Sequence, residues 1–230
     1  MFKIKSFYSY LLIILIIIPC KIYANPPSTR VWTNVIYNTH FSSHPEWLYG
    51  YVLEGRFKNQ SGLFYQGLIQ GQLGYSLSDT TQAWMGYTLI PNTVVEPTGR
   101  VSHTIQRIYQ QLIKELINTP EYEVFSRSRI EERHRLGEHG IGLVYRQLLI
   151  VNLQRLSWHD EYTPFISNEV FANLNKPAWG SQKPFNQNRL IMGWSFPCGK
   201  HNCQLAYLNQ FLVSRYNNEQ NNVIFFSLIL

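Results

Sequence analysis

Residues 221–230, the last ten of the sequence, read NNVIFFSLIL. In a β-strand, successive side chains point to opposite faces, so that every second residue shares a face. Ile224, Phe226, Leu228 and Leu230 therefore share one face, and all four are apolar. This pattern predicts a strand of an all-β fold whose one face lies against an apolar surrounding.

The same alternation recurs upstream, in runs that are separated by short polar turns or by turns with Gly or Pro. This arrangement is typical of an all-β sandwich or barrel. Many runs are long enough to cross a membrane as tilted strands, which takes about 9–11 residues. The runs lie near residues 30–41, 46–58, 63–77, 82–90, 101–115, 122–135, 141–155, 163–174, 186–196, 203–215 and 222–230.

Three of these runs show the two faces clearly. In the second run, the apolar face carries Trp47, Tyr49, Tyr51, Leu53 and Phe57, and the polar face carries Glu54, Arg56 and Lys58. In the third run, Leu63, Tyr65, Ile69, Leu73, Tyr75 and Leu77 alternate with Gln66, Gln70 and Gln72. In the seventh run, Leu143, Tyr145, Leu149, Val151 and Leu153 lie opposite Arg146, Asn152 and Gln154.

Alternation alone fits two architectures. A soluble periplasmic sandwich would turn the apolar face inward, and an outer-membrane barrel would turn it toward lipid. The final stretch favours the barrel, because it is similar to the C-terminal signal that assembly machinery reads in outer-membrane proteins; the usual last residue there is Phe, and here it is Leu230. We predict an all-β fold, an antiparallel transmembrane β-barrel of about 10–12 strands.

The number of strands is the uncertain part of this prediction. Eleven runs are found, whereas single-chain bacterial barrels have an even number of strands. We therefore expect ten or twelve. Residues 103–117 read HTIQRIYQQLIKELI, and their apolar spacing also suits an amphipathic helix. If residues 101–116 form a helix, ten strands remain and the helix is a plug or a surface element.

The first residues have the layout of a secretory signal peptide. Two lysines precede an unbroken apolar run from Leu11 to Ile18, and Ala24 closes the polar stretch that follows. We expect residues 1–24 to be cleaved and residues 25–230 to form one barrel domain. Cleavage removes three lysines and no acidic residue, so the formal net charge falls from +6 to +3. A mildly basic chain argues against nucleic acid as a partner, because such binding sites concentrate Lys and Arg in patches or helical stripes.

Cys198 and Cys203, in the run PCGKHNC, are the cysteines that remain after cleavage. An exported protein reaches a compartment that permits disulfides, and the spacing suits a hairpin, so we predict a Cys198–Cys203 disulfide. The alternative is a metal site that also uses His201. It is the weaker prediction, because zinc normally takes four ligands and only three candidates lie here. We expect no metal and no cofactor.

The run FSRSRIEERHR, residues 125–135, is rich in charge. On a strand it places Arg127, Arg129, Glu131, Arg133 and Arg135 on one face. A charge on the lipid side of a barrel costs about 2–4 kcal/mol at the bilayer midplane, so this face must line the lumen. The polar faces of other strands add Glu54, Arg56, Arg107, Arg146, Glu169 and Arg189.

Such a lumen has a structural and a functional interpretation. In a small barrel the interior is filled by side chains, and Arg–Glu pairs can join neighbouring strands. In a channel, rings of Arg select anions. We favour a structural network in which some members also form a constriction.

Catalysis has little support in the sequence. A lipid-hydrolysing barrel needs a nucleophile such as Ser, with a His base and an orienting acid. The candidates are His103, His134, His139 and His159, with Ser102, Ser126 or Ser128. None lies in a recognisable nucleophile motif, and the last two serines fall on the face opposite the arginines. We expect no catalytic residues, and a lipid-modifying barrel enzyme remains an alternative.

Several short motifs carry a resemblance to a known family. VWTNV, QRIYQQL, SRSRIEERHR, NEVFANLN, FNQNRLIMGWSF and LAYLNQ resemble, in order and spacing over residues 30–230, the uncharacterised bacterial proteins grouped as domain of unknown function 2490. The resemblance implies an outer-membrane barrel without an assigned activity. Its motifs fall on Arg107, Gln111, Arg127, Arg129, Glu131, Arg133, Glu169, Asn173, Asn188 and Arg189. The family usually carries Glu two residues before the first of these arginines, and this chain has Ile105.

Taken together, these patterns predict a protein of the cell outer membrane, either a structural barrel or a narrow channel with an Arg- and Glu-lined lumen. Its expected partners are the lipid bilayer, the outer-membrane assembly machinery that reads the C-terminal strand, and small polar or anionic solutes.

Overall fold

Eleven β-strands make up most of the residues that the computed structural model describes, which are 28–58, 63–96, 99–158, 161–213 and 218–230. The strands are β1 (Ser28–Phe41), β2 (His44–Lys58), β3 (Leu63–Ser78), β4 (Thr81–Glu96), β5 (Gly99–Asn118), β6 (Glu123–Arg135), β7 (Gly142–Asn152), β8 (Thr163–Asn173), β9 (Phe185–Cys198), β10 (His201–Leu212) and β11 (Glu219–Ile229). A short 3-10 helix, Gln154–Leu156, follows β7. The predicted signal peptide lies outside the described residues.

The strands form one closed sheet in chain order. Consecutive strands pair antiparallel, and β1 pairs with β11 in parallel, from Ser28 opposite Asn221 to Ile36 opposite Ile229. An odd number of alternating strands brings the first and the last into the same direction, so that a parallel pair must close the barrel. The all-β barrel is confirmed. The sandwich alternative is wrong, and so is the expectation of ten or twelve strands, because all eleven runs form strands in the described residues.

The helix alternative for residues 101–116 is also wrong. These residues belong to β5, which pairs with β4 on one side and with β6 on the other. Ile108 and Leu112 are 50% and 42% exposed, whereas Tyr109 between them is 1% exposed. A helix would group these three side chains on one face, and the strand separates them.

The outer wall of the barrel is mainly apolar, and the inner face is mainly polar. On β2, Trp47, Tyr51 and Leu53 are exposed on the outer wall, as the alternation predicts. On β11, Ile224 and Phe226 are exposed, and the neighbouring Val223 is fully buried. Buried side chains elsewhere include many polar ones, such as Asn34, Gln70, Thr88, Gln111, Arg129, Glu131, Arg146, Glu169 and Gln210.

The predicted face of Tyr65 is wrong because a β-bulge interrupts the alternation. Arg56 pairs with Gln66 and Phe57 pairs with Phe64, so that Tyr65 has no partner on β2. An extra residue of this kind shifts the phase of the side chains that follow it. Phe64 is exposed, and the Tyr65 hydroxyl accepts a hydrogen bond from the buried Trp32 Nε1 at 3.0 Å.

The two ends of the barrel differ in their connections. We call the end that carries Leu230 the C-terminal rim; it holds the connections 42–43, 79–80, 119–122, 153–162 and 199–200. At the opposite rim, β2 ends near the start of β3, β4 near the start of β5 and β10 near the start of β11, and the fully described connections are 136–141 and 174–184. Most connections at the C-terminal rim are therefore tight turns. Among the described residues, no helix is long and apolar enough to cross a membrane.

Candidate functional site

Glu131 of β6 is fully buried in the lumen among four guanidinium groups. Its Oε2 accepts hydrogen bonds from Arg133 Nε at 2.9 Å and Nη2 at 2.6 Å. Its Oε1 accepts from Arg146 Nη1 and, at 3.4 Å, from Arg129 Nη1. Arg107 Nη1 is more distant, at 3.7 Å from Oε2. One carboxylate is thus shared by arginines of β5, β6 and β7.

Glu169 of β8 is the second shared carboxylate. Its Oε1 accepts hydrogen bonds from Arg127 Nη2 at 2.7 Å and from Arg146 Nη2 at 2.6 Å. Arg189 Nη1 lies 3.6 Å from its Oε2. Because Arg146 contacts both Glu131 and Glu169, it links the two carboxylates into one network.

The strand register explains why these groups meet. Arg129 lies directly opposite Arg146 on the neighbouring strand, and Glu169 lies opposite Arg189. Arg129 also donates from Nε at 2.8 Å and Nη2 at 2.5 Å to the Gln111 Oε1 atom of β5. Alternate positions on β5 to β9 therefore point into one region of the lumen.

A third carboxylate, Glu54 of β2, belongs to a smaller group. It accepts a hydrogen bond from Arg56 Nε, and Arg56 Nη1 donates to the Gln66 side chain of β3. The Arg56 guanidinium carbon lies 3.8 Å from the ring centre of Trp32 on β1. This stacking is a cation–π contact, which stabilises a desolvated arginine.

Aromatic rings join the two groups across the lumen. Arg189 of β9 lies 5.1 Å from the ring centre of Trp32 and 4.8 Å from that of Phe171. The guanidinium carbon of Arg146 lies 4.5 Å from the ring centre of Phe171, so this ring contacts both arginines. Strands β1 and β9 are separated by β11 and β10, so the contact between Arg189 and Trp32 reaches past two strands inside the lumen. Side chains therefore narrow the barrel at this level.

The network carries an excess of positive charge. It contains seven arginines, Arg56, Arg107, Arg127, Arg129, Arg133, Arg146 and Arg189, and three glutamates, Glu54, Glu131 and Glu169. The difference is four positive charges within these residues. All seven arginine side chains are less than one quarter exposed. Desolvated charge without a counter-charge is costly, and four of these positive charges have no glutamate partner of their own in the network.

Asn173 lies apart from this network. Its amide nitrogen donates to the Lys183 carbonyl at 2.7 Å, and its oxygen accepts from Asn186 at 3.1 Å. These hydrogen bonds join the connection 174–184 to the end of β8. The other members of the network, and Gln111, make their contacts on the inner face.

The aromatic members of the site were not predicted from the sequence. Trp32, Tyr109 and Phe171 each lie two residues after a charged lumen residue, namely Arg30, Arg107 and Glu169. That spacing places them on the same face as the charge. The alternation therefore indicated that these three rings face the lumen. They were missed because we expected large apolar side chains on the outer wall.

The predicted disulfide is confirmed, with Cys198 and Cys203 bonded across the turn between β9 and β10. Gly199 in this turn has a φ of 64°, a conformation that suits glycine. The metal alternative with His201 is wrong, because both sulfur atoms are in the disulfide. The described residues contain no group of three or more His, Cys, Asp or Glu that could hold a metal ion.

The serine candidates for catalysis lie on the outer wall among polar side chains. Ser128 Oγ donates to Gln147 Oε1 at 2.7 Å, and the Gln147 amide donates to Ser126 Oγ at 2.8 Å. Tyr145 Oη also donates to Gln147 Oε1, at 2.6 Å. No hydrogen bond joins a serine to a histidine within the described ranges, and His159 lies outside them.

Comparison with known proteins identifies the family. The family model described as "Protein of unknown function (DUF2490)" matches residues 29–221. The chain belongs to this family. The DUF2490 match extends from β1 into the first residues of β11 and includes every member of the lumen network.

Among solved structures, the DUF2490 chain is similar to the NanC porin in a rhombohedral crystal form. The two share 12% sequence identity at a TM-score of 0.50, over 84% of this chain and 93% of that one. At this identity the likeness shows a common barrel fold. No curated protein matches the chain significantly.

Proposed function

We propose that this protein is an outer-membrane β-barrel with a narrow lumen that admits small anions in preference to cations. The observation that carries the proposal is the excess of four arginines over glutamates in the lumen network of the described residues. Rings of arginine in a pore stabilise a passing anion and repel a cation.

The outer wall and the rims support the location. An apolar band faces outward on β2, β3 and β11, as a barrel in lipid requires. The C-terminal rim has mostly tight turns, which in outer-membrane barrels face the periplasm. The disulfide turn then lies on the periplasmic side. The apolar face of β11 would serve as the signal for the assembly machinery.

A closed structural barrel is the second candidate. The contacts from Arg56 through Trp32, Arg189 and Phe171 to Arg146 run across the lumen and occupy it with side chains. A network of this kind can join the strands without leaving a path for solutes. The two candidates share the same residues and differ in whether ions pass them.

Planar bilayer recording separates the two candidates. We expect purified barrel, checked for folding by heat-modifiable gel mobility, to produce small conductance steps under a KCl gradient. The sign of the reversal potential should show that chloride permeates more readily than potassium. Silence from folded protein would leave the structural barrel, and a preference for potassium would contradict the anion channel.

A further inference from the structure

Arg107 of β5 makes the longest carboxylate contact of the seven network arginines. Its one ion pair in the described residues is the 3.7 Å contact from Nη1 to Glu131 Oε2. Its Nε atom is buried without a hydrogen-bond partner there, yet the side chain remains 18% exposed. Its terminal nitrogens make no hydrogen bond within the described residues, so they have hydrogen-bonding capacity left over in the lumen.

Arg107 has this unused hydrogen-bonding capacity because other arginines occupy the carboxylate of Glu131. Arg133 takes Oε2 with two hydrogen bonds, and Arg146 and Arg129 take Oε1. A carboxylate has room for few further donors at this geometry. Arg107 also lies directly opposite Arg133 in the sheet, where like charges repel each other. An additional anion would relieve this repulsion.

Two other arginines of the network take their counter-charge from a carboxylate two positions earlier on the same strand. Glu54 pairs with Arg56 in this way, and Glu131 pairs with Arg133. The equivalent position before Arg107 is Ile105, which cannot pair. Position 105 therefore supplies no carboxylate to Arg107.

We infer that Arg107 binds the carboxylate group of a small organic anion in the lumen. The inference deepens the proposed function and rests on it, since a solute must enter the barrel to reach the site. The carboxylate takes the place that a glutamate at position 105 would fill. Its oxygens accept hydrogen bonds from the terminal nitrogens of Arg107, because Nε is buried.

The test measures binding directly, so that it does not depend on conduction. Trifluoroacetate serves as the carboxylate probe, and its fluorine NMR line broadening is followed as folded barrel in detergent is added. Trifluoroethanol is the neutral control. We expect concentration-dependent broadening of trifluoroacetate alone.

Four variants locate the site, each checked for folding by heat-modifiable mobility. Arg107→Gln removes the guanidinium, and Ile105→Glu keeps it but provides an internal carboxylate. Both should lower the affinity for trifluoroacetate about tenfold or more, since hydrogen bonds to a charged group are lost. Ile105→Gln and Arg155→Gln should bind as the parent does, because the first adds no charge and the second removes an exposed one. If Arg107→Gln does not fold, Ile105→Glu still decides the question.

Unchanged binding in Arg107→Gln or in Ile105→Glu would overturn the inference, and so would an absence of binding to the parent protein. None of these results bears on the reversal-potential measurement, which can still support the anion channel. Conversely, if the barrel binds trifluoroacetate specifically but never conducts ions, the binding site is supported and the channel is contradicted.

Discussion

At the scale of single residues, the sharing of Glu131 is the feature with the largest energetic consequence. Removing charges from water costs several kcal/mol per ion, and attraction offsets this only when the partners are well placed. Glu131 is fully buried and contacts four arginines, so its charge offsets more than one desolvated guanidinium. Loss of this carboxylate would leave those groups without their main counter-charge.

We therefore expect Glu131→Gln to destabilise the folded barrel by about 3–5 kcal/mol, the range for removing one partner of a buried pair. Denaturant titration followed by heat-modifiable mobility would measure the change. The matched control is Glu219→Gln, which removes the half-exposed partner of Arg30 at 3.7 Å. Exposed pairs contribute about 0–1 kcal/mol, so equal losses in the two variants would contradict the network's importance.

At the scale of the strands, close packing of β4 on β5 depends on a glycine. A Cβ atom added at Gly86 would overlap the Tyr109 ring and hydroxyl. Tyr109 is buried there, donates to Gln72 Oε1 at 2.7 Å and stacks with Arg129 at 4.0 Å. The missing side chain at Gly86 thus makes room for a ring that holds part of the lumen network.

Gly86→Ala should lower stability by about 1–3 kcal/mol, the usual cost of overpacking a filled interior. Gly71→Ala on β3 is the control, because a Cβ atom there meets nothing within 4 Å. Unfolding midpoints of the two variants in the same detergent would make the comparison. A Gly86 variant as stable as the Gly71 variant would show that Tyr109 moves freely.

At the scale of the whole molecule, the apolar outer wall is the feature that the membrane proposal uses. Ile69 lies near the middle of β3, and Leu77 lies one residue from its end at the C-terminal rim; both are more than half exposed. In a bilayer, the cost of a charge depends on depth, and it is highest at the midplane. In water, the two positions would differ little.

We expect Ile69→Arg to destabilise the barrel in lipid by about 2–4 kcal/mol and Leu77→Arg by about 0–1 kcal/mol. Equilibrium unfolding from phospholipid vesicles would give both values. Similar small effects at both positions would argue that this wall does not contact the bilayer core.

The sequence alone determined the all-β class, the positions of ten of the eleven strands and most of the inward and outward assignments. Period-2 alternation is a local property, because successive side chains of a strand point to opposite faces whichever strand it pairs with. The same reasoning placed the run from Arg127 to Arg133 on one face, and the cysteine spacing gave the hairpin disulfide.

Only the tertiary structure decided how the strands close and which charges meet. The parallel pairing of β1 with β11, the bulge at Tyr65 and the strand form of β5 depend on partners far away in sequence. The same is true of the shared carboxylate of Glu131, of the long distance from Arg107 to that carboxylate, and of the contact between Arg189 and Trp32 inside the lumen. Register and closure set these distances, and neither is encoded in the pattern of a single strand.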